Sequence, residues 1–174
     1  MAFVVEDGTG LATATSYISL ADARAYWEDH DFDHSLYPPD EKLERALIRA
    51  TQYIETFFGP YFRGCRLNYT VQRLSFPRQD FYLYGQLLSG VVPEGVAFAT
   101  CEYAERILVD GSLFPDPGGL DETGALIRRK STKVGPIEIQ TSYDDGTQTL
   151  IRPYPEADIL LRPFLISASG VIRN

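Results

Sequence analysis

The sequence predicts a small α+β domain, mainly α: about a three-helix bundle, a β-hairpin region and an extended C-terminal arm. Three observations predict it. An apolar stripe recurs at helical spacing from Leu43 to Phe57, and a second runs from Val96 to Leu108. From Leu126 the texture changes, and Ile137-Glu138-Ile139-Gln140-Thr141 alternates as a half-buried strand does. A length of 174 residues fits one domain at roughly 100–200 residues each. That domain is expected over 1–165, with a tail at 166–174.

Each element has its own signal. Gly8, Gly10 and the small residues to Ser16 read as an opening loop. Ser19 is a good N-cap, with Asp22 three residues on in a weak capping box. Leu20, Ala23, Tyr26 and Trp27 then place a helix over about 20–29. The stretch to Pro38-Pro39 reads as loop, because a proline pair cannot continue a helix. Asp40 is expected to cap a second helix over 41–57, in which Leu43, Leu47, Ala50, Ile54 and Phe57 step by four or three. Ala46 and Tyr53 widen that stripe, and Gly59-Pro60 ends it. Residues 61–92 carry glycines, a proline and seven aromatics without a long helical period, so they read as an extended connection. Pro93-Glu94 opens a third helix over 94–108, closed by Gly111. A β region is expected over about 126–151, with Gly135-Pro136 between its strands. Pro155-Glu156 starts a short last helix.

Composition excludes several classes. The chain is 44% hydrophobic and 13% aromatic, which is globular rather than disordered. Its net charge of −8 argues against a surface that wraps nucleic acid or binds anionic membrane. No apolar run approaches the roughly 18–20 residues of a spanning helix, and residues 1–10 lack a signal-peptide pattern. Two cysteines, Cys65 and Cys101, make no disulfide framework. The charge is uneven. Residues 61–84 carry +3 and residues 128–133 carry +4 in an otherwise acidic chain.

No catalytic, cofactor or metal site is expected. His30 and His34 stand four apart among carboxylates, the spacing of a helical zinc pair, but they lead into Pro38-Pro39 and lack a distant third ligand. They read as part of a solvated acidic loop. No Gly-x-Ser-x-Gly elbow occurs. Cys65 beside Arg66 has a basic neighbour, but both cysteines read as packed residues. The glycines follow no strand into a helix, so no phosphate loop is expected.

One segment carries more. Tyr61, Phe62, Tyr69, Phe76, Phe81, Tyr82 and Tyr84 interleave with Arg63, Arg66, Arg73 and Arg78. Rings that stack bases beside arginines that hold phosphates suit a single-strand binder. The same composition suits a protein interface, or rings that finish the core of a small bundle. The acidic total favours the second pair of readings.

The order of several motifs resembles a known family. These are Val5-Glu6-Asp7-Gly8-Thr9-Gly10 with Ser16-Tyr17-Ile18-Ser19-Leu20-Ala21-Asp22-Ala23, then the helix Ala46–Ile54, Phe62-Arg63-Gly64, Leu74-Ser75-Phe76-Pro77-Arg78, and Val92-Pro93 with Ala99, Cys101, Glu102 and Ala104. Together they resemble the small head–tail connector (adaptor, or head-completion) proteins of tailed bacteriophages, over roughly residues 1–140. Phe76 stands where that family usually has tryptophan. A weaker resemblance is to a DnaT-like single-stranded-DNA-binding family.

The connector resemblance implies a non-enzymatic, homo-oligomeric ring, often of about twelve subunits, with a different surface on each flank of the subunit. It implies a virion protein of the neck, made in the host cytoplasm and lying between capsid and tail. Its partners would be further copies of itself, the portal protein and a tail-side connector or tail terminator. Double-stranded DNA would pass through without specific binding, and no membrane or cofactor is involved. On this reading the interface candidates are Arg63, Arg78, Phe81, Tyr82, Arg128, Arg129, Lys130 and Lys133. The DnaT-like resemblance implies instead that the tyrosine–arginine segment binds single strands.

Overall fold

The computed structural model describes residues 2–113, 129–134, 137–142 and 154–166. Its four helices are α1 (Leu20–Asp29), α2 (Asp40–Phe57), α3 (Glu94–Asp110) and α4 (Pro155–Leu161). Between α2 and α3, β1 (Cys65–Arg66) pairs antiparallel with β2 (Arg78–Gln79), and β3 (Tyr82–Leu83) with β4 (Gln86–Leu87). β5 (Arg129–Val134) pairs antiparallel with β6 (Ile137–Ser142), with Arg129 opposite Ser142 and Val134 opposite Ile137. The fold is α+β and mainly α. The chain divides into two compact units: Met1–Leu113 with Pro153–Asn174, and Phe114–Arg152. The expected tail beyond 166 lies outside the described residues.

The helices begin and end for local reasons. Ser19 Oγ accepts from the Asp22 amide at 3.1 Å, the N-cap bond the sequence suggests, and donates to the Asp22 carboxylate at 2.6 Å, so Asp22 returns its bond to the hydroxyl where a capping box would use the Ser19 amide. For α2 the cap is Pro39, not Asp40. Pro39 has the extended backbone of a cap residue, and Asp40 is the first helical residue, where its carboxylate pairs with Arg24. An acid there still meets the positive helix end. Gly111, at φ 79°, ends α3 in the left-handed cap.

The core of the first unit lies where α2 crosses α3. α2 buries Leu43, Ala46, Leu47, Ala50, Tyr53 and Ile54 of the stripe read from the sequence, and leaves its last member, Phe57, half-buried. α3 buries Val96, Ala99, Thr100, Tyr103, Ala104 and Ile107. Trp27 of α1 is fully buried, and its Nε1 donates to the Cys101 carbonyl at 3.2 Å. α4 closes the other side: Tyr154 packs edge-on to Tyr103, and the Tyr103 hydroxyl donates to Asp158. Each large apolar side chain removed from water contributes about 1.5–3 kcal/mol, so these rings carry much of the fold.

The opening loop is built around one acid. Glu6 is buried, and its carboxylate accepts from the amides of Gly8 at 3.1 Å, Gly10 at 2.8 Å and Leu11 at 2.9 Å. The histidines go separate ways. His30 caps α1 and stacks on Tyr26, whereas His34 lies in a short 3-10 turn beside Trp27. Among the described residues no three metal-binding side chains gather.

Candidate nucleic-acid interface

The segment between α2 and α3 has an inner and an outer set of side chains. The inner set is the Leu74-Ser75-Phe76-Pro77-Arg78 motif. Phe76 is fully buried, with Tyr17, Phe62, Phe81 and Phe164 all edge-on to its ring. Arg78 is only 8% exposed. Its guanidinium donates to four carbonyls: Arg63 at 2.6 Å, Ser75 at 3.1 Å, Phe62 at 3.1 Å and Gly64 at 2.6 Å. Burial lowers its pKa. Arg78 and Phe81, at 1% exposed, therefore hold the fold and offer no surface to a partner. That corrects their choice as interface residues. Arginines beside aromatics look alike in sequence whether the fork faces solvent or backbone.

A second polar node locks this motif to α2. The Tyr17 hydroxyl donates to Glu55 and accepts from the amides of Ser75 at 3.1 Å and Phe76 at 3.2 Å. Glu55 also accepts from the Ser75 hydroxyl at 2.9 Å. Burial, then the nearby Glu55 charge, pushes the Tyr17 pKa well above its ordinary value. Gly64, at φ 75°, sits where a Cβ would lie 2.6 Å from the Gln79 carbonyl, so only glycine admits the β1–β2 approach.

The outer set is aromatic. Tyr82 and Leu87 are exposed partners across the β3–β4 ladder. Its two-residue turn is Tyr84-Gly85, with φ of 51° and 81°. Positive φ at both centres is the geometry of the tight hairpin turn, which favours Asn-Gly. A tyrosine there costs about 1–3 kcal/mol, and its ring is 89% exposed. Tyr69 is 82% exposed, Tyr82 is 58% exposed, and Tyr61 and Val71 are also exposed. The unit thus shows solvent several rings from a segment whose other rings are core.

The basic residues divide similarly. Arg63 Nε donates to the Leu165 carbonyl at 2.7 Å, and the Arg63 amide donates to the Phe164 carbonyl at 3.0 Å. Arg63 thereby ties this segment to the residues after α4. Arg66 lies 3.7 Å from Glu55, and Arg73 is exposed. In the second unit Arg129, Lys130 and Lys133 belong to β5, opposite Ser142, Thr141 and Glu138. Arg128 lies outside the described residues. Cys65 is exposed; Cys101 is buried, and burial pushes its thiol pKa up.

The sequence places Tyr69, Tyr82 and Tyr84 among the rings of a single-strand binder, but only Tyr82 of these among the protein-interface candidates. The legible signal was the Tyr84-Gly85 pair between Tyr82-Leu83 and Gln86-Leu87, a hairpin turn with an unusual first residue. The Tyr17–Glu55–Ser75 node gave no such signal, because its members lie far apart in sequence.

No curated protein matches the chain, and no solved structure does. One family model, described as "Putative DnaT-like ssDNA binding protein", matches residues 1–174. The match is to the family that the sequence resembled more weakly, and it covers the whole chain. The chain belongs to the DnaT-like single-stranded-DNA-binding protein family.

Proposed function

We propose that the protein binds single-stranded DNA, with little sequence preference, through the exposed tyrosines of the segment between α2 and α3. The observation that carries this reading is Tyr84: a fully presented ring held in a left-handed turn that favours asparagine or glycine. An energetically costly backbone at an exposed aromatic is what a contact residue looks like. Each stacked base is worth about 1–3 kcal/mol. Family membership supports the same reading. The acidic remainder of the chain confines the strand to this segment and keeps duplex DNA off it. An electrophoretic shift with labelled single-stranded and duplex oligonucleotides at low salt tests it. Retardation of the single strand alone is expected; no shift of either refutes it.

A second reading has its own observation. β5–β6 is a two-stranded ladder with no third strand among the described residues. A lone hairpin is marginal in water and gains stability on a partner. Its basic stretch from Arg128 to Lys133 complements the acidic remainder of a second copy. With the motif order, that supports a ring subunit of a phage head–tail connector. Its ring, often of about twelve copies, would join the portal to a tail-side connector or tail terminator in the virion neck. Its acidic surface would let double-stranded DNA pass. Charge reversal of Arg128 and Arg129 then leaves the monomer folded and blocks joining of tails to heads. Normal infectious particles from that mutant would sink the reading.

A further inference from the structure

A groove of about 500 Å³ runs along α2 on a face separate from its core stripe. Ile48, Thr51, Gln52, Glu55 and Thr56 line it from the helix, at the spacing of one helical face. Thr15, Arg66, Arg73 and Leu74 line the rest. The size lies within the roughly 300–1,000 Å³ of small-ligand sites, and the lining combines two guanidinium groups, one carboxylate, amide and hydroxyl groups, and two aliphatic side chains.

Two features mark it as more than a surface crevice. The first is Thr51. It is 1% exposed, and its Oγ1 has no hydrogen-bond partner among the described residues. Threonine hydroxyls inside helices ordinarily bond the carbonyl four residues back. Thr56 does so to Gln52 at 2.8 Å and Thr100 to Val96 at 2.9 Å. Thr51 departs from that pattern where it lines the groove. A buried hydroxyl left unbonded is costly. Rotation about χ1, which threonine tolerates on a helix, exchanges its methyl and hydroxyl positions.

The second feature is the state of the acid. Glu55 already accepts from Tyr17 and from the Ser75 amide and hydroxyl. Its charge is thus committed to the wall, and it steadies Arg66 from 3.7 Å. Among the described lining residues, Arg66 and Arg73 outnumber the one acid, Glu55, which suits an anion.

We infer that this groove takes one nucleotide unit of a single strand: phosphate at Arg66 and Arg73, and a polar base edge at Thr51 and Gln52. The inference rests on the single-strand reading above and adds a second contact to the tyrosine hairpin. Free mononucleotide has the same chemistry, so the test separates the two sources.

Fluorescence anisotropy of a labelled oligothymidylate at low salt, on the full chain, gives the test. Thr51→Val keeps the shape, removes the hydroxyl and is expected to melt no lower than wild type. It and Arg73→Ala are each expected to weaken binding about tenfold, and Arg73→Ala also to reduce the salt slope by about one. Thymidine monophosphate is expected to compete only at far higher concentration than the strand. If Tyr84→Ala weakens binding while Thr51→Val and Arg73→Ala do not, the groove is overturned and the tyrosine reading stands. If wild type binds mononucleotide but no strand, the strand as occupant is overturned, and the single-strand reading with it. Binding of neither removes both.

Discussion

Replacing Arg78 by alanine should cost about 4 kcal/mol of stability. The magnitude comes from its four hydrogen bonds to the carbonyls of Phe62, Arg63, Gly64 and Ser75, at about 1 kcal/mol net for each bond. The donors are charged, which raises the figure, and water can reach a truncated site, which lowers it. A domain has about 5–15 kcal/mol in total, so the variant loses a large share. For a chain of this length about 2–4 °C of Tm is lost per kcal/mol, which gives a drop of about 8–16 °C. Lysine keeps the charge but lacks the planar fork, so Arg78→Lys should recover less than half of the loss. Thermal and urea melts followed by far-UV circular dichroism measure both variants. A Tm for Arg78→Ala within about 2 °C of wild type, with a defect in partner or DNA binding instead, would show that Arg78 acts at a surface.

Other perturbations follow from the same contacts. Tyr84→Asn should raise stability by about 1 kcal/mol, because asparagine tolerates the left-handed turn, and should weaken oligonucleotide binding; urea melts and a gel shift check the two halves. Glu6→Gln should destabilise by about 2 kcal/mol, since a carboxylate accepting three amides loses its charge, with faster hydrogen exchange at Gly10 and Leu11. Stability should also fall at high pH. Burial, then Asp158 and Tyr154, pushes Tyr53 up to about 12, and burial with the Asp158 bond raises Tyr103 further. A raised folded pKa gives stability that is full below the unfolded value of about 10 and is lost as pH climbs through the folded one. Tm should therefore decline from about pH 10 upward, and a flat Tm through pH 12 would contradict the burial of these hydroxyls.

The helices were legible because their causes are local. Ser19 with Asp22 marks the start of α1, the stripe from Leu43 to Phe57 fixes the buried face of α2 in all but its last residue, and Gly111 ends α3. The α2 cap was misplaced by one residue, because aspartate and proline at adjacent positions both suit a helix start. The segment between α2 and α3 was legible in composition but not in disposition. Phe76 and Tyr84 read alike as aromatics, yet one is the hub of four other rings and the other is presented to solvent. What separates them is tertiary. Phe76 meets Tyr17 and Phe164 from distant parts of the chain, whereas Tyr84 sits on a hairpin that closes on itself. The groove on α2 was invisible for the same reason. Thr51, Arg66 and Arg73 carry no shared period, and the bond that Thr51 does not make depends on how its side chain is set in the folded unit.

The charge distribution gains meaning from this arrangement. Of the four arginines in the first basic island, Arg78 is spent on backbone and Arg63 holds the residues after α4. Arg66 and Arg73 line the groove. A strand would therefore be held by few phosphate contacts and mostly by stacking, so its salt dependence should be shallow for a nucleic-acid binder.

The most direct measurement is an anisotropy titration of a labelled single-stranded oligonucleotide with wild type and with Tyr82→Ala/Tyr84→Ala. The account predicts micromolar binding by wild type at low salt, and a loss of at least tenfold, about 1.4 kcal/mol, in the double variant with its melting curve preserved. Equal binding by the two proteins, or none by wild type, would contradict it.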